Sequence, residues 1–145
     1  MGLGNISITG NYPEVSKDIM LSKLNILKEP FLENFNPNIN DRIDRIKRIQ
    51  KLVEENIDAF HKSLREDFGS RHEQLSLMAD TMPVINNAKH ALKNIKKWVK
   101  QDNRKPNFPL GLLGSKAYVQ FQPYGVVGII SPWNFPLTLS IAPLI

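Results

Sequence analysis

The chain has 145 residues, of which 41% are hydrophobic and 23% charged, and a net charge of +5; such a chain can bury a real core. It has no cysteine, which excludes a disulfide framework, a thiolate metal site and a cysteine nucleophile within these residues. No apolar run reaches the length of a membrane span, and residues 1–20 lack a basic region followed by an apolar core, so the expected location is the cytoplasm, with no membrane partner.

The first fifteen residues hold Gly2, Gly4, Gly10 and Pro13 without a clear period, and are read as a loose terminal arm. Ser16 to Lys28 reads as a short helix capped by Ser16, with Ile19, Met20, Leu24 and Leu27 on one side. Asn34 to Asn38 is turn chemistry. From Asn40, expected as the cap, Ile43, Ile46, Gln50, Val53, Ile57, Phe60 and Leu64 recur every three or four residues, which predicts an amphipathic helix over 41–66. Asp67-Phe68-Gly69 closes it, with Gly69 suited to the left-handed position beyond a helix. As a kinase magnesium motif the triplet fails, since no glycine-rich loop or catalytic-loop motif accompanies it.

A second helix is expected over 71–100, with Leu75, Met78, Met82, Ile85, Leu92, Ile95 and Val99 on a shared face, kinked or divided at Pro83. Its later part carries Lys89, Lys93, Lys96, Lys97 and Lys100, and Arg104 and Lys105 follow, against Asp102 alone. The rest of the chain is close to neutral. Such a stripe suits phosphates, but it is more often a solvated helix face, and Trp98 is its lone aromatic, so no nucleic-acid partner is expected. His61, His72 and His90 are isolated from carboxylates at ligand spacing and are read as surface residues, with no metal site.

Residues 101–115 hold Pro106, Pro109, Gly111 and Gly114 and are read as a linker. Lys116 to Gln122 alternates with period two, which predicts a strand with one covered face. Pro123-Tyr124-Gly125 turns it into Gly125-Val126-Val127-Gly128-Ile129-Ile130, an uncharged run read as a strand buried on both faces. Ser131-Pro132 stops that run, because proline cannot donate to a ladder. Trp133, Asn134, Phe135 and Pro136 follow, and then residues that open a helix. Residues 106–145 contain one charge, Lys116; so apolar a stretch is expected to be covered by other chain.

Pro132-Trp133-Asn134-Phe135-Pro136 after Gly-Val-Val-Gly-Ile-Ile resembles the loop after the first nucleotide-binding strand of the aldehyde dehydrogenase superfamily. Arg42-Ile43-Asp44-Arg45-Ile46, Asp67-Phe68-Gly69-Ser70-Arg71 and Trp98 before a Pro-rich stretch are similar to its coniferyl-aldehyde-dehydrogenase-like branch. The resemblance runs from about Arg42 onward, and its final motif is the most specific part. It implies an α/β fold: amphipathic helices, then the first strands of a Rossmann-like domain, cut short. The divisions expected are an arm and short helix over 1–40, a helical segment over 41–100, the linker over 101–115, and the start of an NAD-binding domain over 116–145.

The resemblance also implies an activity, the oxidation of an aldehyde to a carboxylic acid with NAD or NADP. In the family a cysteine thiolate attacks the aldehyde, hydride passes to the nicotinamide, and a glutamate helps hydrolyse the thioester. Asn134 matches the oxyanion-hole asparagine. Chemically this suits the residue, since a fixed amide N–H stabilises negative charge on a carbonyl oxygen without proton transfer. Its plainer use is to hydrogen-bond its own loop backbone. Ile130, Ser131, Pro132 and Trp133 match positions lining the dinucleotide site, although no Gly-x-Gly-x-x-Gly follows the strand. With the cysteine and glutamate lying beyond these residues, the chain is expected to be the N-terminal part of such an enzyme, a homodimer when whole. The alternatives are a truncated inactive remnant and a basic helical binding module.

Overall fold

The computed structural model describes residues 16–145, so the arm expected over residues 1–15 lies outside it. The described residues divide into two compact units, one ending at Phe35 and the other running from Asn36 to Ile145. In the first, α1 spans Lys17–Glu33, five residues beyond the expected Lys28. Ser16 caps it as its sequence position suggests, its hydroxyl accepting from the Ile19 N–H at 3.3 Å.

In the second unit, α2 spans Ile39–Glu55 and α3 spans Ile57–Phe68. The cap of α2 is Asn38, not Asn40: its Oδ1 accepts from the N–H groups of Asn40 at 2.9 Å and Asp41 at 3.0 Å. An amide at the cap satisfies backbone donors that the helix cannot. The helix expected over 41–66 is interrupted at Asn56, whose φ of −119° and ψ of 18° are not helical. The apolar face survives the break, and every residue expected on it, from Ile43 to Leu64, is buried or half-buried. Gly69 ends α3 in the left-handed conformation, φ 72°.

The next helical stretch runs from Glu73 to Trp98 in three parts: α4 (Glu73–Ser76), a π-helical turn (Leu77–Thr81) and α5 (Met82–Trp98). The irregularity expected at Pro83 therefore falls just before it. The Met82 N–H reaches the Leu77 carbonyl, five residues back. Pro83 has no N–H to give the Ala79 carbonyl its α-helical partner, so the ladder is already broken where the wider turn sits. The extra residue changes which side faces in: Leu75, Met78 and Met82, expected inside, are exposed, whereas Ser76, Asp80 and Thr81 are buried.

The core lies where α5 packs on α2. Ile46 meets Ala88, Ala91 and Ile95, with Ile43, Leu92 and Ile145 packed around them. Two alanines on the α5 face leave room for the isoleucines, each worth about 1.5–3 kcal/mol when fully buried.

The fold is mixed α/β. Its sheet is a two-stranded antiparallel pair, β1 (Asp102–Arg104) and β2 (Ala117–Val119), with Asp102 opposite Val119 and Arg104 opposite Ala117. The stretch read as linker over 101–115 thus supplies a strand. Asp102, Asn103 and Arg104 have no apolar alternation, so only the pairing with β2 reveals it. The strand expected over 125–130 does not form: these residues are irregular, with a bend at Val126, and no described residue forms a ladder with them. Nor is the run buried, with Val127 66% and Ile130 99% exposed. A strand covered on both faces needs neighbours on both edges, and among the described residues the ladder joins only β1 and β2. Gly125 makes the turn ahead of it at φ 107°. The chain then enters α6 (Pro136–Ile141) and a short 3-10 turn (Ala142–Leu144).

Candidate active site

Ser131 to Phe135 forms the connection into α6, and it is fastened from two sides. Proline at the first position of α6 suits a helix start, because its missing N–H would have no helical partner there. Phe135, at the cap, has no side chain able to accept from the first turn. Asp80 does that work from the π-helical turn: its Oδ1 accepts from the N–H groups of Leu137 at 3.1 Å and Thr138 at 3.3 Å. The Thr138 hydroxyl returns the contact, lying 2.9 Å from the Ala79 carbonyl and 2.8 Å from that of Asp80. The Ala79 carbonyl is the one that Pro83 leaves without a helical donor.

Arg71 completes the fastening. Its Nη2 donates to Asp80 Oδ2, and its Nη1 donates to the backbone carbonyl of Asn134 at 2.8 Å. The guanidinium also lies between two rings, 4.8 Å from the centroid of Phe68 and 5.1 Å from that of Phe135, within cation–π range. The side chains are 5% exposed for Arg71 and 0% for Asp80. Neither charge is tolerable alone at such depth, and each is the other's principal partner.

The sequence-derived site residues fall on this connection. Asn134 is exposed, and it is its backbone carbonyl, not its side chain, that Arg71 holds. Ile130, Pro132 and Trp133 are exposed, Trp133 by 81%, and Ser131 is half-buried. Ile130, Pro132 and Trp133 thus present apolar surface beside the Ser131 hydroxyl. A groove of about 920 Å³ lies elsewhere: Arg45, Ile46, Ile95, Trp98, Phe121 and Ile145 are among its walls, and none of Ile130 to Asn134 lines it.

Sequence reasoning missed Arg71 and Asp80, because nothing in their spacing announces a pair that meets the chain about sixty residues on. It also misplaced His61, which is 6% exposed rather than on the surface. His61 lies against Thr81, Nε2 to Oγ1 at 3.2 Å. Here a signal was available: Ile57, Phe60, His61 and Leu64 follow the i, i+3, i+4, i+7 rule of one helix face. His72 caps α4, its Nδ1 accepting from the Gln74 N–H at 3.3 Å, and His90 packs on Trp98 at 5.6 Å between ring centroids. The lysines of α5 are exposed.

The chain is 35% identical over 140 residues to a coniferyl aldehyde dehydrogenase of a Pseudomonas species, covering 96% of this chain and 28% of that protein. It is 38% identical over 132 residues to a probable coniferyl aldehyde dehydrogenase of Caulobacter vibrioides, 90% of this chain and 27% of the relative. It is 30% identical over 142 residues to mouse aldehyde dehydrogenase family 3 member B3, 97% of this chain and 29% of the relative. The chain thus spans less than a third of the length of these relatives. Residues 12–145 match the sequence model of the aldehyde dehydrogenase family, and the chain belongs to that family.

Proposed function

We propose that this chain is the amino-terminal part of an NAD(P)-dependent aldehyde dehydrogenase that oxidises an aldehyde to a carboxylic acid, with Asn134 as its oxyanion donor. The observation that carries this reading is the loop itself. Asn134 sits between a clamped backbone and open solvent, so its amide is presented to a reactant while its main chain is held. A thiolate from outside these residues, since they include no cysteine, adds to the aldehyde carbon. The carbonyl π pair moves to oxygen, and a side-chain N–H of Asn134 meets the charge as it forms. Ile130, Ser131, Pro132 and Trp133 would hold the nicotinamide dinucleotide, NAD or NADP, which when bound accepts the hydride. The reading extends, on the family resemblance, to a cytoplasmic homodimer.

The test is kinetic. Coniferyl aldehyde, named for two of the relatives, is the first substrate to assay in the full-length protein that contains this chain. Asn134→Ala is expected to lower turnover by ~10²–10³ without unfolding the protein, the typical loss for one oxyanion donor. Unchanged turnover would return Asn134 to a purely structural role.

A further inference from the structure

We propose that Arg71 and Asp80 are positioning residues for Asn134, setting the direction of its side-chain amide through its own carbonyl and the backbone that follows it; this rests on the oxyanion role proposed above. Asn134 is exposed, and its carbonyl accepts a hydrogen bond from Arg71. The main chain therefore sets where its side chain starts and how far its amide can reach. That chain is held at Asn134 itself by Arg71 Nη1 on the carbonyl, and at the next residue by the Phe135 ring against the guanidinium. Three and four residues further on it is held by Asp80 Oδ1 on two successive amides, Leu137 and Thr138. The two grips are one unit, because Arg71 Nη2 donates to the other oxygen of the same carboxylate.

The chemistry explains why these residue types are needed. A planar guanidinium reaches two acceptors in fixed directions, the Asn134 carbonyl and the Asp80 carboxylate, while stacking on rings; an ammonium has no plane to hold that geometry. A carboxylate has enough acceptor sites for Arg71 and two backbone amides at once. Burial keeps water from competing for any of them. The loop is thus pre-organised by a device on the helical segment, away from the reacting atoms. Small misplacements of a catalytic group are costly: about an ångström of displacement can cost on the order of a hundredfold in rate.

The experiment is a double-mutant cycle in the full-length protein, reading kcat/KM for the aldehyde. Arg71→Lys and Asp80→Asn each keep the size of the side chain and are expected to lower kcat/KM by about ten- to a hundredfold. Combined with Asn134→Ala, neither is expected to lower it by more than about threefold again, because a residue acting only through Asn134 has nothing left to position. A loss of the same size with Asn134 present and absent overturns the proposal, since that is the signature of general damage. So does full activity in both single variants. Using two variants keeps the cycle closed if one fails to fold. If Asn134→Ala itself has no effect, the oxyanion reading fails and this inference falls with it; if Asn134→Ala is impaired and the cycle is additive, only the inference fails.

Discussion

Asp80 takes N–H donors from three residues, Arg71, Leu137 and Thr138, while fully buried. Removing one partner of a buried ion pair leaves the other charged and unsolvated, which typically costs about 3–5 kcal/mol. Asp80→Ala is therefore expected to lower the unfolding free energy by about that amount, read from the urea midpoint of the full-length protein. Arg71→Ala with Asp80→Ala should cost less than the two single losses added together, because the orphaned charge is gone. A second residue-scale expectation concerns Gly69, where φ is 72° and the space beside the α-carbon is open. A side chain there meets no neighbour, only backbone strain, so Gly69→Ala should cost about 1–2 kcal/mol. Gly69→Asn should cost less, since asparagine visits this conformation more readily; calorimetry of the two variants checks the order.

Elements were legible wherever one period ran unbroken. In α2 and α3 each residue from Ile43 to Leu64 that shares the apolar spacing lies inward, despite the interruption at Asn56. Beyond Gly69 the rule held for Ile85, Leu92, Ile95 and Val99 but failed before them, where a π-helical turn inserts a residue and Leu75, Met78 and Met82 lie outward. The turn's cause, a proline with no N–H, was visible; its remedy, the Thr138 hydroxyl, was not, because the two lie far apart in sequence. The site divided in the same way. Asn134 and its neighbours could be found because they are contiguous, whereas the Arg71–Asp80 clamp is made by tertiary folding. β1 escaped notice for a related reason, since hydrogen bonding to β2 defines it and side-chain pattern does not. The element-scale prediction is Thr138→Val, which removes the hydroxyl shared by two carbonyls and should cost about 1–3 kcal/mol. Hydrogen exchange should show the loss at the start of α6 and in the π-helical turn, leaving the α2–α5 core unchanged.

At the scale of the whole molecule, the apolar surface between Phe108 and Trp133 dominates. Phe108, Leu112, Leu113, Tyr124, Ile130 and Trp133 are each more than three-quarters exposed, in a stretch where Lys116 is the one charge. A soluble domain rarely leaves so much apolar surface to water. The 145 residues produced alone should therefore self-associate, eluting from a calibrated sizing column ahead of a 16.5 kDa monomer; a sharp monomer peak would contradict this. They should also show no aldehyde oxidation, for want of a cysteine. The clamp around Asp80 has one more consequence, and it concerns time. Its carboxylate and the amides it receives are separated by 57 and 58 residues. At about 5–20 residues per second, a ribosome makes Asp80 roughly three to twelve seconds before Thr138. For those seconds a newborn helix carries an acid meant for the interior with two of its three partners unmade, open to water and to any chaperone that recognises unfinished surfaces.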